Sequence, residues 1–125
     1  MVAGLSEPVS HYVHAVRFGD LLFISGMGPV DADGTLVGAD DISAQTRQTL
    51  SNIKVVLDRL GATFADILKV TVFVLDINDR EAINVVRQEF FGSSKPASTL
   101  IEVSAFVRPG MKIEIETIAG LPSAG

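Results

Sequence analysis

Lys112, Glu114 and Glu116 alternate with Ile113 and Ile115 near the end of the 125-residue chain. In an extended segment the charged side chains would leave one face and the isoleucines the other. A carboxylate held this way can orient or activate a water molecule, which makes Glu114 the first candidate for acid–base work. The plainer alternative is a solvated strand face, and it fits Glu116 better than Glu114. Ser98, Leu100 and Glu102 share one face of a second extended run by the same period of two. Ser98 lacks a Gly-x-Ser-x-Gly setting and an identifiable base, so its sequence context does not mark a nucleophile. If residues 11–14 are extended, His14 points to the side of Tyr12 and could supply a cationic or proton-donating group; the ordinary alternative is a strand histidine bonded to water or backbone. His11 and His14 would then lie on opposite faces, and no metal site is expected from them unless carboxylates converge from elsewhere. Gly26 and Gly28 could let backbone approach a ligand, although a Gly-x-Gly pair with no helix behind it is usually just a turn.

The elements that must position these residues are visible as periodicities. Residues 12–17 and 21–25 form two strands around a Gly19-Asp20 turn. Residues 26–38 hold Gly26, Gly28, Pro29, Asp31, Asp33, Gly34 and Gly38, which is turn chemistry within a domain. Leu50, Ile53, Leu57 and Leu60 fall at helical spacing, with Asp40 and Asp41 ahead of them and Gly61 placed to end the helix. Residues 67–76 are nearly continuous in Val, Ile, Leu, Phe and Thr, which predicts a strand covered on both faces, by helices on one side and by another subunit on the other. Asn78 followed by Glu81 matches a capping box, and Ile83, Val86 and Phe90 mark a second helix ending near Gly92. Strands over 98–107 and 112–119 complete the order. The expected fold class is α+β, a mixed sheet with both helices packed on one face, in one domain over residues 1–125 with its core at about 10–119.

Composition narrows the function. The formal charge is −5, and the ten basic residues are scattered, which disfavours a nucleic-acid partner. With no cysteine there is no disulfide, thiolate nucleophile or thiolate metal site. No apolar run reaches the roughly 18–20 residues that span a bilayer, and no basic start with an apolar core marks an export signal. No membrane partner and a cytoplasmic location are therefore expected. An apolar fraction of 47% is more than so small a domain readily hides, and subunit contact is the natural cover.

A larger pattern runs through the chain: Tyr12, Ser25-Gly26 with Pro29, Gln45 to Arg47, Lys69-Val-Thr-Val-Phe-Val74, Asn84, Phe90-Phe91, Pro96-Ala97, Glu102-Val103 and Lys112-Ile-Glu-Ile-Glu116. In order and spacing it resembles the RidA (YjgF) family, once labelled endoribonuclease L-PSP, from about Ser10 to Ala119. The resemblance implies a chorismate-mutase-like fold, a homotrimeric barrel with helices outside, and clefts between subunits. It implies a cofactor-independent hydrolase of the enamine/imine deaminase type acting on small reactive metabolites with release of ammonia. Carried over by position, Glu114 would hold the attacking water, with Tyr12, Gly26 and Asn84 lining the cleft.

The departures fall in the same cleft. The family's usual Pro-Ala-Arg-Ser, whose arginine grips the substrate carboxylate, is Pro96-Ala97-Ser98-Thr99 here, and its usual cysteine two residues on is Leu100. Its Pro-Tyr-Ser/Val-Gln is His11-Tyr12-Val13-His14, and its Ser-Gly-Gln is Ser25-Gly26-Met27. Losing a guanidinium contact worth about 1.5–3 kcal/mol implies a substrate other than the usual 2-imino acids, with Ser98, Leu100 and His14 shaping the pocket. Arg17 and Arg108 are candidate replacement anchors, with surface solubility as the ordinary explanation for each. A non-catalytic trimer that binds a small molecule or a protein is the alternative, and ribonuclease activity follows only from the old label.

Overall fold

The structure is a computed structural model describing residues 2–8, 10 and 12–122; His11 lies outside the described residues. Five strands and two helices follow one another as β1 (Ala15–Phe18), β2 (Leu21–Met27), α1 (Ile42–Arg59), β3 (Ile67–Val74), α2 (Arg80–Phe91), β4 (Ala97–Glu102) and β5 (Ile113–Gly120). The sheet order is β1-β2-β5-β3-β4. All neighbours are antiparallel except β3 and β4, whose parallel pairing requires the crossover that α2 provides. The sheet is therefore mixed, as the order of elements predicts.

One face of the sheet builds the core. Val70, Val72 and Val74 of β3, Ile113 and Ile115 of β5, and Leu22 and Ile24 of β2 are buried beneath Leu50, Ile53, Val56 and Leu57 of α1 and Ile83 and Val86 of α2. Helical spacing puts those side chains on one stripe of each helix, and strand alternation puts theirs on one face, so both periodicities meet in one layer. Asp41 caps α1 by accepting the Ala44 N–H at 3.0 Å, and Gly61 reverses the chain after it at φ 70°. Buried Gln45 pins the start of α1: its amide donates to the Gly38 and Gly110 carbonyls and its oxygen accepts from the Lys112 N–H.

Three expectations are corrected. The Asn78–Glu81 capping box does not form: a short 3₁₀ turn over Ile77–Asp79 precedes α2, and Asp76 accepts the Asn78 N–H instead. The sequential Asp76, Asn78 and Asp79 all offer caps, and the turn selects the first. Leu60 lies just beyond α1 and is exposed, because the chain has already begun to turn toward Gly61. The strand expected to 107 ends at Glu102, after which the loop to Gly110 carries the chain from the sheet edge back to the interior strand β5. The helices cover β3 on the one face expected of them. The opposite face of the sheet carries exposed Val16, Phe18, Leu21 and Phe23 together with Lys69, Thr71 and Phe73.

Candidate functional site

Glu114 stands on the face away from the helices, opposite Phe73 of β3. Its carboxylate lies over the backbone of Gly26, where pairing between β2 and β5 is interrupted between Ile24 and Met27. A Cβ at Gly26 would sit 1.9 Å from Glu114 Oε1, so only glycine leaves the carboxylate its place. Glu114 is half-buried, and its pKa is raised first by that burial and then by the negative charge of Glu116 on the same strand face. Ser25 Oγ donates to the Val13 carbonyl at 2.6 Å, and the Ser25 N–H to that of His14 at 2.9 Å. These bonds bring the segment holding Tyr12 alongside Gly26, with the Tyr12 side chain 44% exposed.

A second group forms on the helix face at the sheet edge. Ser98 pairs with Val70 and Leu100 with Val72, so both side chains point toward α2. There they line a cavity of about 300 Å³ with Arg80, Ile83, Asn84 and Arg87. Arg87 Nη1 donates to Ser98 Oγ at 3.2 Å, and the guanidinium carbon lies 5.8 Å from the ring centre of Phe91. Burial pulls the Arg87 pKa below its ordinary value, though a guanidinium stays charged at neutral pH. None of the ion pairs among the described residues uses Arg80 or Arg87; those are Arg17–Asp20, Arg47–Glu89 and Lys54–Asp58. Sequence reading missed Arg87. The available signal was its i+3 spacing from Asn84, with Arg80 at i−4, which puts all three on one side of α2.

His14 is placed differently from the pocket role considered for it. It is 5% exposed; Nδ1 accepts the Val2 N–H at 3.0 Å and Nε2–H donates to the Ser6 carbonyl at 2.8 Å. Both ring nitrogens are committed to holding the N-terminal segment, because residue 14 enters β1 after a bend and the side chain turns inward. The other two candidate anchors are also engaged: Arg17 Nε donates to the Gly19 carbonyl, and Arg108 Nη1 to that of Gly34. Among the described residues no group of three His, Asp or Glu side chains could hold a metal ion.

The site residues thus fall into two halves. Gly26 and Glu114 occupy the open face, whereas Asn84, Ser98 and Leu100 occupy the helix face, with β3 between β5 and β4. That is roughly 10 Å of sheet width in addition to the change of face. A single copy of the chain does not bring the halves together.

The family model described as endoribonuclease L-PSP matches residues 4–121. The chain belongs to the RidA family. A RutC family protein of Pyrococcus horikoshii is 42% identical over 113 residues, 90% of this chain and 89% of that one. The 2-iminobutanoate/2-iminopropanoate deaminase of Salmonella typhimurium is 40% identical over 114 residues, covering 89% and 88%. The crystal structure of the YjgF gene product of Escherichia coli superposes with a TM-score of 0.85 at 36% identity, over 94% of this chain and 93% of the other. The mixed α+β sheet with two helices on one face is therefore the RidA fold, as the sequence pattern implies. None of the described helices is long and apolar enough to cross a membrane.

Proposed function

We propose that this RidA-family chain hydrolyses a reactive enamine or imine in a cleft between subunits of a homotrimer, releasing ammonia. The observation that carries the reading is the half-buried Glu114 carboxylate seated over Gly26, its pKa raised by burial and by Glu116. Such a carboxylate can take a proton from water as the water oxygen adds to the C=N carbon, then return it to nitrogen. The C–N bond of the resulting carbinolamine breaks, C=O forms and ammonia leaves, so one water is consumed with no change of oxidation state. The reaction needs no cofactor or metal. Tyr12 is assigned to the same half of the cleft.

Residues on opposite sheet faces act on one substrate only if a neighbouring subunit supplies the second half. We assign Gly26, Glu114 and Tyr12 to one subunit and Asn84, Ser98 and Leu100 to the next. Exposed Val16, Phe18, Leu21 and Phe23 on the open face support such an assembly. Because Ser98 stands where the family's arginine is expected, the preferred substrate differs from the usual 2-imino acids. The same substitution also favours a second reading, ligand binding without turnover. The acidic charge balance opposes the polyanionic substrate that the family model's description would suggest. We assign the protein to the cytoplasm.

The test is ammonia release from 2-iminopropanoate and 2-iminobutanoate generated in situ, and from other enamines, with native protein, Ser98→Arg and Glu114→Gln. Turnover that Glu114→Gln abolishes supports hydrolysis. Thermal stabilisation of the native protein by these compounds without turnover supports the binding reading.

A further inference from the structure

The cavity between α2 and β4 is lined by two arginines and by no acidic residue among those described. Arg80 and Arg87 both line it, neither pairs with a carboxylate among the described residues, and the other polar contributors are the Asn84 carboxamide and the Ser98 hydroxyl. Arg87 is half-buried between the Phe91 ring and Ser98, and its one side-chain hydrogen bond goes to a neutral acceptor. A guanidinium has five N–H donors in a rigid fork, so most of the donors of Arg87 remain for another partner. Removing such a charge from water without compensation is unfavourable, and an anion in the cavity reverses that. A cavity of about 300 Å³ suits a small metabolite.

We propose that Arg87, assisted by Arg80 and the Ser98 hydroxyl, is the anion anchor of this cleft and binds the carboxylate of the substrate from helix α2. The inference rests on the enamine/imine reading above and concerns where the carboxylate sits: closer to α2 than a guanidinium projecting from strand position 98 would hold it. A neutral side chain at 98 is then a requirement of the site. Arg87 donates to Ser98 Oγ, and an arginine at 98 would set two positive charges against each other.

Three proteins decide the matter: native, Arg87→Met and Arg87→Lys, each checked for native circular dichroism and oligomeric mass. Turnover is measured on carboxylate-bearing imines and on their uncharged carboxamide analogues, and calorimetry measures binding of 2-oxobutanoate, a stable carboxylate probe. For Arg87→Met we expect KM for the charged imine and Kd for 2-oxobutanoate to rise roughly tenfold to a hundredfold. Constants for the carboxamide should change less than threefold, and Arg87→Lys should recover part of the loss. Equal losses on charged and uncharged substrates would make Arg87 a packing residue and overturn the proposal. So would unchanged 2-oxobutanoate binding in Arg87→Met, even if the native protein turns imines over. If native protein binds 2-oxobutanoate through Arg87 but hydrolyses nothing, the anchor stands and the hydrolytic reading falls. If it does neither, both fall.

Discussion

Gly26→Ala separates the position of the Glu114 carboxylate from its chemistry. The backbone of Gly26 is outside the left-handed region, so alanine is sterically acceptable except against one side chain, its Cβ meeting Glu114 Oε1 at 1.9 Å, Cδ at 2.8 Å and Cγ at 3.1 Å. To reach ordinary van der Waals separation that oxygen must withdraw by about 1.5 Å. The clashing atoms all belong to one flexible side chain, so relief means swinging it to another rotamer, at about 0.5–1.5 kcal/mol if its χ angles are left off their minima. A reacting group misplaced by about 1 Å loses on the order of a hundredfold in rate. We therefore expect Gly26→Ala to lower kcat for imine hydrolysis about a hundredfold, with thermal unfolding at fixed protein concentration nearly unchanged. Gly28→Ala is the matched control, since a Cβ there meets Met111 Cε at 2.6 Å and leaves Glu114 untouched. Its kcat should stay near the native value. Coupled detection of ammonia with in situ imine generation measures both. If Gly26→Ala keeps kcat within twofold while Glu114→Gln is inactive, the seat over Gly26 is irrelevant to the chemistry and the reasoning fails.

Glu114→Gln should abolish turnover and also stabilise the fold at neutral pH. The native carboxyl has a pKa raised above its ordinary value near 4.5, so the folded state holds more protons between the two values and stability falls as pH rises through that window. The variant's advantage in urea unfolding should be present at pH 7 and close as pH drops below about 4.5, and the acid limb of native kcat should lie above that value. Equal stability of variant and native at pH 7 would deny the burial penalty. His14→Ala should cost about 1–3 kcal/mol by unpairing the Val2 amide and Ser6 carbonyl while leaving kcat per folded chain unchanged; a selective loss of kcat would restore a catalytic role for the ring. Gln45→Ala should cost about 3 kcal/mol in urea unfolding, because the Gly38 and Gly110 carbonyls and the Lys112 N–H lose their partner together. A change below 1 kcal/mol would show that water replaces the carboxamide freely.

Local structure was legible because its causes are local. Alternation over Ile113–Glu116, the two-residue turn at Gly19-Asp20, the stripe Leu50-Ile53-Leu57 and the stop at Gly61 each depend on neighbours within a few residues, and each element formed. The errors arose where several local choices competed. Asp76, Asn78 and Asp79 could all cap α2, and His14 could face out with Tyr12 or turn in toward Ser6. The residue pattern along the chain also carried the family, and with it the expectation that Tyr12, Gly26, Asn84 and Glu114 line one cleft; of these, Gly26 and Glu114 are neighbours on one sheet face and Asn84 lies on the other.

Tertiary structure decided which residues share a site. Period two says that Ser98 and Leu100 agree in direction, as do Glu114 and Glu116, but it cannot relate one strand's face to another's. That relation depends on the pairings of Val70 with Ser98 and of Phe73 with Glu114, which put the two groups on opposite faces of β3. The meeting of Arg87 with Ser98 is equally non-local: it requires the crossover of α2 between parallel strands and the rotation of that helix set by burying Ile83 and Val86. The sequence alone determined the RidA-family pattern and the alternation that gives Ser98 and Leu100 one direction. Only the packed chain determined that the Arg87 guanidinium reaches the cavity they line, because helix rotation and strand register are fixed by burial across the whole core and by no single segment.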